Sequence, residues 1–268
     1  MPSTPQPLLE VRGLDKTYAQ SRWWQCPARV RALERVDLVL KAGTTLALMG
    51  ESGAGKTTLA MCLVGLEQPD AGDIRFEGKS LLELGRKERI AARRNIQLIF
   101  QDSSEALNPR MSAAEIIEEP LLIESQLCSR DRAERALETM EQVGLSPSWK
   151  DRRPSELSGG QRQRLAIARA LVLKPKLLIL DEALTGLDLS IQGQIANLLL
   201  DMQAAQRLSY LYISHNLELV GHVADEIAII HEGRVVQKAN PSEILASIQH
   251  SRTQLPPLAF PGRLTFGT

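Results

Sequence analysis

Short apolar runs recur along the chain at Thr45–Met49, Ile96–Phe100, Leu177–Leu180, Leu211–Ser214 and Ile227–Ile230. Runs this short, bounded by polar residues, predict strands buried on both faces. Leu8–Val11, Val36–Leu40, Ile74–Glu77 and Arg234–Lys238 read as further strands, and Glu232-Gly233 as a hairpin turn before the last of these. Between the runs the apolar spacing lengthens. Ala133, Ala136, Leu137, Met140 and Val143 repeat at three and four, predicting a helix over Ser129–Val143. Ile191, Ile195, Leu198, Leu199 and Met202 trace a second helical face. Helices are also predicted over Thr57–Leu66 and Ala113–Glu118, with a short one after Asn240-Pro241 and a Pro-rich tail. Ser21–Arg31, which holds Trp23, Trp24 and Pro27, has no period and reads as an extended loop.

Strands that alternate with helices predict an α/β fold with a mostly parallel sheet. Residues 102–157 break that alternation and read as an all-helical insert. Ligands of such sheets sit beyond the carboxyl ends of the strands. Attention therefore falls on the turns after Met49, Phe100, Leu180 and Ile213.

The 268 residues carry 32 basic and 32 acidic side chains, so the net charge is zero. A protein that coats phosphate backbones carries a basic excess, which argues against nucleic acid as partner. No apolar run approaches the roughly 18 residues of a bilayer span. The stretch Met1–Pro7 lacks the basic start and apolar core of a secretion signal. Cys26, Cys62 and Cys128 are too few and too scattered for a disulfide framework or a paired-cysteine zinc site, and read as reduced thiols.

The turn after Met49 reads Gly50-Glu51-Ser52-Gly53-Ala54-Gly55-Lys56-Thr57-Thr58. This is the phosphate-binding pattern G-x-x-x-x-G-K-[ST]. Its glycines let successive backbone N–H groups point at one anion, and the following helix aims its positive end there. The Lys56 ammonium is placed to bridge the β- and γ-phosphates. The Thr57 hydroxyl is placed to bind Mg²⁺, and Thr58 sits near the α-phosphate. The apolar run Leu177–Leu180 ends in Asp181-Glu182. Asp181 is expected at the sheet edge as a Mg²⁺ ligand, and Glu182 one step outward to orient the attacking water. Leu157-Ser158-Gly159-Gly160-Gln161 precedes a third helix, with Ser158 as N-cap. Its serine hydroxyl and glycine N–H could serve a second anion site. One chain needs a single phosphate loop for its own nucleotide, so this surplus points to a nucleotide held by another molecule.

Gly50–Thr58, Gln101, Leu157–Gln161, Leu177–Glu182, Asp188 and His215, in that order, resemble the nucleotide-binding domain of ATP-binding cassette (ABC) proteins. The resemblance spans about Leu8 to Lys238. It implies a P-loop NTPase core over residues 8–101 and 158–240, with a mixed, mostly parallel sheet and an N-terminal antiparallel β part. A helical subdomain at 102–157 and a tail at 241–268 complete one ABC domain. It further implies that Tyr18 stacks on adenine and that Gln101 senses Mg²⁺ and meets the membrane partner. Asp188 matches the loop that crosses a dimer interface, and His215 the contact to the γ-phosphate. Ser158, Gly159, Gly160 and Gln161 would close over the ATP of a second ATPase subunit, identical or related.

Phe100–Ser112, Glu115-Ile116-Ile117 and Glu119-Pro120-Leu121 resemble the oligopeptide, dipeptide and nickel importers more narrowly, as does the tail Pro241–Pro256. His250-Ser251-Arg252-Thr253, Ala183 and Asn216 depart from the usual pattern of that group. The resemblance implies ATP hydrolysis with Mg²⁺, two membrane permease subunits and an extracytoplasmic solute-binding protein. It places the chain peripherally on the cytoplasmic face of the inner membrane. The alternative is a soluble ABC ATPase serving nucleic acid, ribosomes or an enzyme assembly. A single cassette, zero net charge and no paired cysteines favour the importer.

Overall fold

The first two strands are much longer than their apolar runs. In the structure, a computed structural model that describes residues 6–20, 28–124 and 127–243, β1 (Leu9–Gln20) and β2 (Ala28–Leu40) pair antiparallel from Leu9–Leu40 to Gln20–Ala28. Residues 28–31, expected in a loop, are therefore strand. Arg29, Val30 and Arg31 are all exposed, so no buried face marks them in the sequence. The rest of that expected loop, with Trp23 and Trp24, lies outside the described residues.

β3 (Thr45–Met49) leads through the glycine turn into α1 (Lys56–Leu63). This helix stops before the expected Leu66, because Gly65 turns the chain at φ 70°. β4 (Ala71–Phe76) and β5 (Lys79–Ser80) follow, and β2, β1, β4 and β5 form a small antiparallel sheet in that order. α2 (Arg86–Asn95) has no sequence counterpart, since none of its residues is buried and it has no apolar face to read. β6 (Ile96–Ile99) begins the second half.

α3 (Ala113–Glu124) runs past its expected end at Glu118 with Pro120 inside it. An interior proline costs roughly 3 kcal/mol. Ile116, Ile117 and Leu121 are all fully buried around it, at roughly 1.5–3 kcal/mol each, and hold the helix through the break. α4 (Ser129–Gln142) and α5 (Gly159–Leu171) pack against α3. The chain then runs through β7 (Leu177–Asp181), α6 (Leu189–Gln206), β8 (Ser209–Ile213) and α7 (Leu217–Val223). β9 (Glu226–His231) and β10 (Arg234–Ala239) are joined by Glu232 and Gly233, both at positive φ as a tight hairpin turn requires. Residues 241–243 are helical, and the expected tail beyond them lies outside the described residues.

The larger sheet has the order β10-β9-β3-β8-β7-β6 and is parallel except for β10. All five residues of β3, β7 and β8 are buried. Alternate side chains divide between two apolar layers. Leu46, Leu48, Leu177, Ile179, Leu211 and Ile213 face α1 and the small sheet. Ala47, Met49, Leu178, Leu180, Tyr210 and Tyr212 face the layer that contains α3, α4, α5 and α6.

Candidate functional site

The glycines of the turn after β3 are set by close backbone approaches. A Cβ at Gly50 would lie 2.2 Å from the Ile230 carbonyl oxygen, and one at Gly55 would lie 2.3 Å from that of Ala32. Gly55 also stands at φ 104°, where a side chain is strained. Neighbouring strands thus clasp the turn from outside, and the Gly233 N–H donates to the Ala54 carbonyl at 3.1 Å. Inside, Lys56 folds back. Its ammonium donates to the carbonyls of Gly50 (2.9 Å) and Glu51 (2.8 Å), and the residue is buried. No acidic residue occupies the first turn of α1, so the positive end of the helix is not offset by its own side chains. A glycine turn opening onto an uncompensated helix N-terminus is chemically suited to an anion.

The strand order sets the expected residues in a row along one edge. Gly50 follows β3, His215 follows β8, Asp181 and Glu182 end β7, and Gln101 follows β6, and these strands are neighbours in that order. Asp181 is buried, and its carboxylate accepts the Thr57 hydroxyl from the first turn of α1. Burial pushes its pKa up; the Thr57 bond and the Lys56 charge oppose that shift. Glu182 sits at φ 49°, a conformation rare for a residue with a side chain and one that clusters at functional sites. Its carboxylate is 3.6 Å from His215 Nδ1, with the His215 side chain 63% exposed. Gln101 is exposed just beyond β6.

Three expected groups lie off this row. Tyr18 is on β1 in the small sheet, its ring centre 5.1 Å from the Lys16 ammonium. Asp188 is the exposed residue before α6 and makes no side-chain cap there. Ser158 caps α5 by accepting the Gln161 N–H at 3.3 Å, and Gln161 returns an acceptor to the Ser158 N–H at 2.9 Å. The two glycines between them lie against Leu187 and Ile191. Gln192 escaped the sequence reading. It bonds the carbonyls of Leu184 and Leu187 and meets Asn216, contacts made only by the fold.

A glycine cradle feeding a helix, with a buried aspartate opposite, defines a phosphate-binding ATPase core. Residues 33–185 match the family model described as ABC transporter, and the chain belongs to that family. It is 41% identical to the dipeptide transport ATP-binding protein DppF of Haemophilus influenzae, over 92% of this chain and 76% of that protein. It is 42% identical to DppF of Escherichia coli K12, over 93% of this chain and 75% of that protein. The putrescine export system ATP-binding protein SapF of E. coli K12 is 38% identical, over 92% of this chain and 91% of that protein. Among solved structures, the dimeric cassette MJ0796 bound to ADP and Pi superposes with a TM-score of 0.77 at 27% identity, covering 87% of this chain and 98% of that one. The cbiO1 cassette of Clostridium perfringens gives 0.79 at 29% identity, covering 92% and 94%.

The chain is thus an ATP-binding, ATP-hydrolysing cassette of an ABC transporter, a reading these relatives favour over a soluble ATPase of nucleic acid or ribosomes. Among the described residues, no helix is long and apolar enough to cross a membrane.

Proposed function

We propose that this chain energises a peptide importer, binding ATP against Gly50–Thr58 and hydrolysing it when two such cassettes close. The observation that carries the reading is the identity of over 40% to dipeptide transport ATP-binding proteins along more than nine-tenths of the chain. The importer works with two permeases and a solute-binding protein, and this chain sits on the cytoplasmic face of the membrane. Nickel, the other cargo that the sequence suggested, and putrescine, named for SapF, are the competing cargoes.

Within the site, the Lys56 ammonium meets the β- and γ-phosphates, while backbone N–H groups of Gly50–Gly55 hold their oxygens. Tyr18 stacks on the adenine. The hydroxyl of Thr57, the carboxylate of Asp181 and the amide of Gln101 are hard oxygen donors that suit Mg²⁺. The buried, ionisable Asp181 fits that ion best, because a cation would offset the cost of burying its charge. When bound, Mg²⁺ neutralises charge on the phosphate oxygens. Glu182 accepts a hydrogen bond from the attacking water and turns its lone pair toward the γ-phosphorus. His215 donates to a γ-phosphate oxygen. Ser158, Gly159, Gly160 and Gln161 of a second cassette donate to the same phosphate from the other side. Asp188 lies at that shared boundary.

The test is uptake in cells that lack their own peptide importers and express this chain with its permeases and binding protein. Labelled dipeptide should accumulate, and the chain should sediment with membranes only when the permeases are present. Accumulation of nickel without dipeptide, or export of putrescine in place of dipeptide uptake, would refute the cargo assignment.

A further inference from the structure

Gln192 lies in the second turn of α6, outside every motif described above, yet it closes a ring of contacts around Glu182. Its Nε2 donates to the carbonyls of Leu184 and Leu187, each at 3.0 Å. Those carbonyls belong to the turn that leaves Glu182, where the Thr185 N–H also donates to the Glu182 carbonyl at 3.0 Å. Two carbonyls demand two donors, which fixes the Gln192 amide with its oxygen facing away. That oxygen accepts from Asn216 Nδ2 at 3.4 Å.

Asn216 is itself held. Its N–H donates to the Ser214 hydroxyl at 3.1 Å, and its Oδ1 accepts from the N–H groups of Glu218 and Leu219. Asn216 follows His215, whose Nδ1 is 3.6 Å from the Glu182 carboxylate. The ring therefore runs from Glu182 through its turn to Gln192, on to Asn216 and His215, and back to Glu182. Glu182, Gln192, Tyr212, His215 and Asn216 line one small cavity of about 180 Å³. His215 is mostly exposed, and the bonds of Asn216 fix the backbone from which its ring projects.

We propose that Gln192 is a positioning residue that holds the turn after Glu182 and the loop of His215 at a fixed separation, so that water and γ-phosphate are addressed together. This rests on the reading of Glu182 and His215 given above. Gln192 acts through that turn and that loop, and its effect falls on the rate of hydrolysis and not on ATP affinity.

Gln192→Met keeps the volume and removes all three hydrogen bonds. Measured on the full chain, kcat for ATP should fall about tenfold, as expected for a displacement of well under 1 Å. KM for ATP should stay close to wild type, while the melting temperature should fall by about 2–6 °C, because the Leu184 and Leu187 carbonyls lose their donor. Gln192→Glu keeps size and polarity but offers the two carbonyls no proton, and should show the same loss if Met proves poorly tolerated. In a His215→Ala background, either change should cost almost nothing further, since the ring is already open. A wild-type kcat in Gln192→Met, or losses that multiply in the double variant, would overturn the proposal. Glu182→Gln is run alongside. If it hydrolyses ATP normally, the assignment of Glu182 has failed; if it is stalled while Gln192→Met is unaffected, only the ring has failed.

Discussion

The two glycine-bearing turns proposed to meet phosphate are built in opposite ways. Gly50–Gly55 is enclosed: strands press on it from outside, and a buried lysine braces it from within. Ser158–Gln161 is displayed: Ser158 is exposed, and the hydrogen bonds that shape it close within four residues. The first turn is shaped by the whole molecule and is complete in one chain. The second is shaped by its own capping box and presents its outer side to another body. On the proposed reading, a cassette assembled this way binds nucleotide alone and a second copy completes the enclosure.

Changes to the enclosed turn should therefore be felt by one chain in isolation. Gly55→Ala sets a Cβ within 2.3 Å of the Ala32 oxygen at a backbone angle that alanine resists. It should cost about 3 kcal/mol or more of stability and abolish ATP binding, as seen by thermal melting and nucleotide titration. Lys56→Ala leaves the fold standing, but should weaken ATP by about 10- to 150-fold in the same titration, since a charge-assisted contact to phosphate is worth roughly 1.5–3 kcal/mol.

Glu182→Gln tests the boundary between the two turns. ATP affinity should hold while hydrolysis falls by about two to four orders of magnitude, the range for a lost general base. The stalled chain should elute as an ATP-dependent pair in size-exclusion chromatography. A wild-type hydrolysis rate would remove Glu182 from the mechanism.

The displayed turn should respond differently. Ser158→Ala loses one cap and should cost only about 1 kcal/mol in the lone chain. ATP binding by that lone chain should be unchanged, whereas pair formation in the Glu182→Gln background should drop. Loss of ATP binding in the isolated Ser158→Ala chain would break the distinction between the two turns. The smallest effect concerns Asp181. Its pKa is raised by burial, so the fold favours the neutral acid, and stability without nucleotide declines as pH rises through the ordinary carboxylate range. Asp181→Asn removes that cost. The melting temperature in chelator should rise by about 2 °C while Mg²⁺-dependent hydrolysis is lost.

How much was legible in advance follows the same division. The glycine cradle could be read because its chemistry lies in nine consecutive residues. The buried strands could be read because every residue of β3, β7 and β8 is apolar or tucked away. α2 could not, since Ile90 points to solvent and the helix has no buried face. The extension of β2 through Arg29 and Arg31 was hidden for the same reason. Tyr18 carries no signal of its own, and only its place in a familiar order suggested a role. Gln192 is invisible because its partners, at 184, 187 and 216, meet it only after the sheet has formed.

The left-handed backbone at Glu182 has a last consequence. Glycine adopts that conformation freely, and relief of such strain is worth on the order of 1 kcal/mol. A laboratory population bred for heat endurance alone would drift toward glycine at that position, and, on the role proposed for Glu182, its survivors would be sturdier cassettes that no longer turn over.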